Sequence, residues 1–296
     1  MLDWPDEIVG VEEEVPEWSQ AGSNCCLDFH GDPLNADLVV FSDGNHHMAL
    51  LETLQLFQKH NTGLRGVFYA TTPPGPVSKL LNHGSLRIGN LVLSVRPHIF
   101  ISPPAVLDTL VRDGHLAAHT PFMRNRGSVL LVKKGNPKSI HGVAELARPD
   151  LKLFMSNPDS EGVSFKGYAG TLINMAAQQG VDLSFLTEQP VSPKVVHGQR
   201  IHHREGPQAV ADGRADVAIV YYHLALRYTR VFSSEFEIIP LGGTVQDPQP
   251  TPENVISLTH VGLIDHGGAW GAKFLDFLHS KAVHKIYQHH GLLPLE

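Results

Sequence analysis

Apolar positions follow two rhythms along this chain. Ala36 to Phe41 is a short β-type run that stops at Ser42-Asp43-Gly44-Asn45. Met48, Leu50, Leu51, Leu54 and Phe57 then recur at three- and four-residue steps, the spacing of one helix face, until Asn61-Thr62-Gly63 ends them. The pattern repeats. A strand over Leu64 to Ala70 runs into Thr71-Thr72-Pro73-Pro74-Gly75-Pro76 and a short helix carrying Val77, Leu80 and Leu81. A strand over His98 to Ser102 meets Pro103-Pro104 and a helix over Ala105 to Asp113. Further on, strands are expected at Ser128 to Val132, Leu151 to Met155, Lys194 to His197, Val217 to Tyr222, Phe236 to Pro240 and Val255 to Leu263. Helices are expected at Tyr168 to Gln179 and Gly206 to Asp212. Trp270, Phe274, Phe277, Leu278, Val283, Ile286 and Tyr287 fit one closing helix.

Strand, loop and helix in alternation are the signature of a mostly parallel sheet with helices on its faces. In such sheets ligands bind beyond the carboxyl ends of the strands. Those loops hold Ser42, Asn45, Thr71, Thr72, Ser102 and Ser156. Hydroxyls and the unpaired N–H groups of helix N-termini suit an anion. Taken singly, each of these residues reads more readily as a helix cap or turn former.

Composition narrows the classes. The 296 residues are 42% hydrophobic and 18% charged, enough for a sizeable core in one large or two medium domains. A net charge of -7 argues against a nucleic-acid binder working by bulk charge. No apolar run approaches the roughly 18 residues of a membrane helix. Residues 1–36 read as an irregular, acidic arm without a secretory leader. The only cysteines, Cys25 and Cys26, are neighbours and cannot staple distant segments. Histidine is abundant, at 19 residues.

The order of segments resembles the type II solute-binding proteins of ABC transporters, most of all the molybdate-binding family. The resemblance rests on Leu38 to Ser42, Tyr69-Ala70-Thr71-Thr72, His98 to Ser102 with Leu110 to Leu116, and Arg124 to Pro137 as a crossover strand. It rests further on Ser156 to Ser160 with Gly167-Tyr168-Ala169, on Ala209 to Tyr221, and on Phe274 to Phe277 with Gly291. It covers about residues 37–296, with gaps near 140–150 and 240–253. It implies an α/β fold of two lobes, each a mostly parallel sheet flanked by helices, with a ligand cleft between them. Lobe I would comprise 37–124 plus about 260–296, and lobe II about 125–259. It also implies capture of a molybdate- or tungstate-like oxyanion by hinge closure, delivery to an ABC permease, and no nucleic-acid partner or membrane insertion. By motif position the oxyanion contacts fall on Ser42, Thr72, Tyr221 or Tyr222, and backbone N–H groups near Gly162.

The chain departs from the family where charge matters. His46, His47, Glu161, His203, Glu205 and His223 lie near the expected ligand loops. Imidazole and carboxylate suit a divalent transition metal, so a metal-binding protein is the alternative to an oxyanion carrier. Beyond a bound oxyanion or metal, no cofactor is expected. An enzyme or an effector-sensing domain on the same fold is a further alternative. Against it, G-x-S-x-G, H-E-x-x-H and P-loop motifs are missing, and so is a helix-turn-helix segment. The transport reading puts the protein in the periplasm or outside the cell if a leader was removed, and otherwise in the cytoplasm.

Overall fold

A computed structural model describes residues 28–43, 47–88, 91–159, 161–188, 191–199 and 202–295. The chain forms two compact units. One is Met1–Arg124 with Leu258–His289 and Leu293–Glu296, and the other is Asn125–Ser257 with His290–Leu292.

The first unit is built on a seven-stranded sheet whose strands run in the order β1 (Asp28–His30), β3 (Val67–Thr71), β2 (Leu38–Ser42), β6 (Ile99–Ser102), β13 (Leu258–Leu263), β7 (His119–Arg124) and β14 (Leu293–Pro294). Its heart is β3 (Val67–Thr71), β2 (Leu38–Ser42) and β6 (Ile99–Ser102), all parallel. Every residue of β2 and β6 is buried, as the unbroken apolar runs require of strands covered on both faces. Alternate residues then serve two cores. Val39, Phe41 and Phe100 meet Val77, Leu80, Leu107 and Leu110 from α2 (Pro74–His83) and α3 (Pro104–Arg112). The α1 helix (His47–His60) brings Phe57 against Phe274 of α7 (Gly271–Leu278), ring centroids 4.9 Å apart. Tyr287 of α8 (Lys281–His289) packs on Phe122 of β7 (His119–Arg124) at 4.9 Å.

The second unit holds a five-stranded sheet in the order β10-β9-β11-β8-β12. These strands are β8 (Ser128–Lys133), β9 (Leu153–Met155), β10 (Val195–His197), β11 (Val217–Tyr221) and β12 (Phe236–Pro240). Alternation again sorts the faces. Leu130, Val132 and Ile219 pack with Tyr168 and Leu172 of α4 (Gly162–Gln178). Val129, Leu131 and Val220 pack with Val210 of α5 (His202–Ala211) and with Leu224 and Tyr228 of α6 (Tyr222–Val231).

The α/β class and the type II architecture stand, with corrections. The sheets are mixed rather than mostly parallel. In the first, β13 (Leu258–Leu263) pairs antiparallel with β6 and β7, and β14 (Leu293–Pro294) with β7. In the second, β8 pairs antiparallel with β11 and β12. Strands whose chain has crossed from the other unit return without a crossover helix, so nothing forces them parallel. Of the expected arm, 1–27 lies outside the described residues, whereas β1 (Asp28–His30) is a strand on β3. Val217 to Tyr222 ends one residue early, because Tyr222 opens α6, an unexpected helix. The closing helix is two helices. Ser280 caps the second, its Oγ 3.4 Å from the Val283 N–H. A hairpin of β4 (Leu86–Ile88) and β5 (Leu91–Leu93) was also unexpected.

Candidate functional site

The three parallel strands of the first unit end together. Ser42 pairs in register with Thr71 and Ile101. Past the strand ends, the Thr72 N–H donates to Ser42 O at 2.9 Å and the Asp43 N–H to Ile101 O at 3.0 Å. This register puts Ser42, Thr71, Thr72 and Ser102 on one sheet end, each 2% exposed or less. Among the described residues, no group hydrogen-bonds any of the four hydroxyls. A buried hydroxyl without a partner costs about 1–3 kcal/mol, so four at one sheet end call for an explanation.

Capping does not supply one. The residues preceding α2 and α3 are Pro73 and Pro103, and neither helix has a side-chain cap. Prolines set the backbone angle for helix entry instead, which leaves Thr71, Thr72 and Ser102 without a capping duty. Asp43, 8% exposed, follows directly on Ser42, and its charge pushes the Tyr287 hydroxyl further upward in a site where burial already raises it. Asn45 and His46 lie outside the described residues. Of His47 only its place at the start of α1 is described.

Beside this end runs a line of titratable side chains. His260 on β13 is the register partner of Ser102. Its Nδ1 lies 2.8 Å from Nδ1 of His119, whose Nε2 lies 3.0 Å from Asp108. Burial and the neighbouring imidazole hold His260 below the ordinary histidine range. The sequence offered no sign of this line, because its members are 11 and 141 residues apart and meet only through the packing of β7 against β13 and α3.

In the second unit, Ser156 follows β9 and is fully buried, its hydroxyl without a partner among the described residues. Glu161 precedes α4 without capping it through its side chain. Its carboxylate instead takes the His202 backbone N–H at 3.1 Å and lies 3.4 Å from His202 Nδ1. Gly162 opens α4, whose first N–H groups have no intrahelical acceptor. Tyr168 is wholly buried 4.7 Å from the His202 ring, and burial raises its hydroxyl well above the usual tyrosine range.

The remaining expected residues have partners of their own. Tyr222 donates its hydroxyl to Val245 O at 2.9 Å inside the core. Tyr221 places its hydroxyl 3.2 Å from Ser257 Oγ, with its ring stacked on His223. Glu205 receives the Gln199 N–H at 3.0 and 3.2 Å. Of the expected cation set, the structure joins Glu161 and His203 and adds His202: one ligand atom from each lies within 4.8 Å of the others. Among the described residues, Glu205 and His223 are not in that group. Of the adjacent pair His202-His203 the sequence reading singled out only His203, because neighbouring histidines differ only in which way the helix turns them.

The sequence pattern of the family described as bacterial extracellular solute-binding protein matches residues 38–293. The chain belongs to that family. No curated relative matches the sequence. Among solved structures, the fold is similar to the periplasmic molybdate-binding protein of Azotobacter vinelandii, 16% identical with a TM-score of 0.55, covering 88% of this chain and 100% of that one. It is similar to the sulfate-binding protein SubI of Mycobacterium tuberculosis H37Rv, 17% identical with a TM-score of 0.59, covering 88% and 86%. It is also similar to AgtB of A. tumefaciens R10, solved with agropinic acid, 13% identical with a TM-score of 0.59, covering 88% and 83%. The family is one of extracellular binding proteins rather than enzymes; its members take small ligands and partner ABC transporter permeases. No helix among the described residues is long and apolar enough to cross a membrane.

Proposed function

We propose that this protein captures a small oxyanion of the molybdate or tungstate kind and presents it to an ABC permease outside the cytoplasm. One observation carries the reading: four buried hydroxyls without partners among the described residues, Ser42, Thr71, Thr72 and Ser102, at the joined ends of β3, β2 and β6. Each has a hydrogen to donate and is already desolvated. An oxyanion that accepts those hydrogens pays little further ordering cost. Bonds to a charged acceptor are worth about 1.5–3 kcal/mol each. Structural neighbours that bind molybdate and sulfate support the ligand class. The hinge motion belongs to the same proposal and implies a smaller radius of gyration once ligand is added.

The test is a thermal-shift panel of molybdate, tungstate, sulfate and phosphate. A ligand at 100 times its Kd stabilises the fold by about 2.7 kcal/mol. We expect one or more of these anions to raise Tm, and the rise to shrink in Ser42→Ala and vanish in Ser42→Ala/Ser102→Ala. If no oxyanion moves Tm, or the double variant responds like the parent, the reading fails.

A further inference from the structure

We propose that Glu161, His202 and His203 form a binding site for one divalent transition-metal ion, zinc being the probe that fits best. The site lies wholly within the second unit and does not depend on the oxyanion reading.

Three observations converge. A carboxylate oxygen and one nitrogen from each imidazole lie within 4.8 Å of one another. Two imidazoles and a carboxylate are a ligand set that zinc accepts in tetrahedral sites with one position left open to water or another ligand. Bonds of about 2.0–2.2 Å would bring the ligand atoms to about 3.3–3.5 Å apart, a side-chain adjustment rather than a backbone one.

Second, His202 is 3% exposed, and its Nε2 has no hydrogen-bond partner among the described residues. A buried ring nitrogen without a partner is what a metal ligand looks like before the metal arrives. Third, the frame is rigid. Glu161 is joined to His202 through both the backbone N–H and Nδ1, and the Tyr228 hydroxyl donates to the His203 carbonyl.

The bland alternative is that Glu161 merely finishes the N-terminus of α5. It does accept the His202 N–H, but an N-terminal cap needs neither the second oxygen on Nδ1 nor His203 within ligand reach. The positive ends of α4 and α5 disfavour a cation, and the negative charge of Glu161 offsets them. Softer and later first-row ions are favoured at such nitrogen-rich sites, so copper and nickel should compete with zinc while magnesium and calcium should not.

The experiment uses the full chain, purified without a polyhistidine tag and stripped with EDTA. Zinc binding is measured by competition with a chromophoric chelator, and Co(II) binding by its visible absorption. We expect one high-affinity equivalent and the intense absorption of a four-coordinate Co(II) centre. Glu161→Gln and His203→Ala should each weaken zinc at least tenfold and abolish the cobalt band, with circular dichroism unchanged. With 19 histidines in the chain, weak adventitious binding is the competing outcome. Several weak equivalents untouched by both substitutions would overturn the proposal. Should Glu161→Gln fail to fold, His203→Ala, on the half-buried ligand, decides alone. Zinc binding lost in that variant while molybdate still raises Tm would separate this site from the hydroxyl cluster.

Discussion

The hydroxyl of Tyr228 donates to the carbonyl of His203, and that carbonyl is the one that Pro207 leaves without a partner. Pro207 sits inside α5 and has no N–H to give to the residue four before it. Tyr228, on α6, supplies the missing hydrogen, and burial pushes its hydroxyl up to about 12, where it stays protonated. Tyr228→Phe should therefore destabilise the protein by about 1–3 kcal/mol, the cost of a buried carbonyl left unpaired. Pro207→Ala in that background should restore part of the loss, because alanine returns the helical N–H. A double-mutant cycle in urea checks the coupling, and purely additive effects would contradict it.

Acid should weaken the fold well before its carboxylates titrate. His98 Nδ1 receives the Val39 N–H at 3.1 Å, which requires an unprotonated nitrogen. Burial holds His98 below the ordinary histidine range, and His260 is lowered for the same reason with His119 adding to it. The unfolded chain then takes up more protons than the folded one once pH drops below about 6.5. Stability should be level above that value and decline beneath it until the folded histidines titrate as well. Urea midpoints at pH 7.5 and pH 5 read this directly, since Asp37 and Asp265, held low by Arg65 and Arg96, contribute only in stronger acid. His98→Gln should flatten the acid limb.

Ser42→Ala and Ser102→Ala should be close to neutral for stability without ligand, within about 0.5 kcal/mol or slightly stabilising. Neither hydroxyl has a partner to lose among the described residues. A loss of 2 kcal/mol or more in denaturant titration, on the scale of a broken buried hydrogen bond, would mean that these hydroxyls serve the fold instead of a ligand.

Asn254→Ala should be among the costliest polar substitutions, about 2–4 kcal/mol. The buried amide receives the Ser128 N–H at 2.7 Å and donates to Ser128 O at 2.9 Å and Leu241 O at 3.4 Å. Asn125 does matching work, its Oδ1 receiving the N–H groups of Gly127 and Ser257, each at 3.1 Å. Together they join the start of the second unit to its end. Asn254→Asp, which keeps the acceptor but buries a charge, should be worse than alanine.

Where periodicity was strong, the sequence was legible. The runs at Ala36 to Phe41 and His98 to Ser102 lie within two residues of the observed strands, which are buried on both faces. The hydroxyl residues at their ends were legible for the same reason, since topology alone places strand ends. What escaped was set by partners far along the chain. His119 to Arg124 becomes a strand because β13 arrives beside it, and no local spacing announces that. Asn125 and Asn254 look like ordinary turn residues until their bonds to Ser257 and Ser128 are seen. At His202 and His203 the sequence offered the chemistry, and only the helix phase could say that both belong with Glu161.

The interleaving of the two units governs the order of birth on the ribosome. Residues 125–257 make up nearly all of the second unit, so it can condense as soon as it has emerged. The first must wait, since β13 fills the gap between β6 and β7 and is drawn from residues 258–263. Until then Ile99 to Ser102 presents a bare, wholly apolar border apart from its final serine, the kind of edge that invites another nascent chain. Shortening the gene just before Leu258 should therefore yield inclusion bodies, whereas a fragment spanning 125–257 should stay in solution.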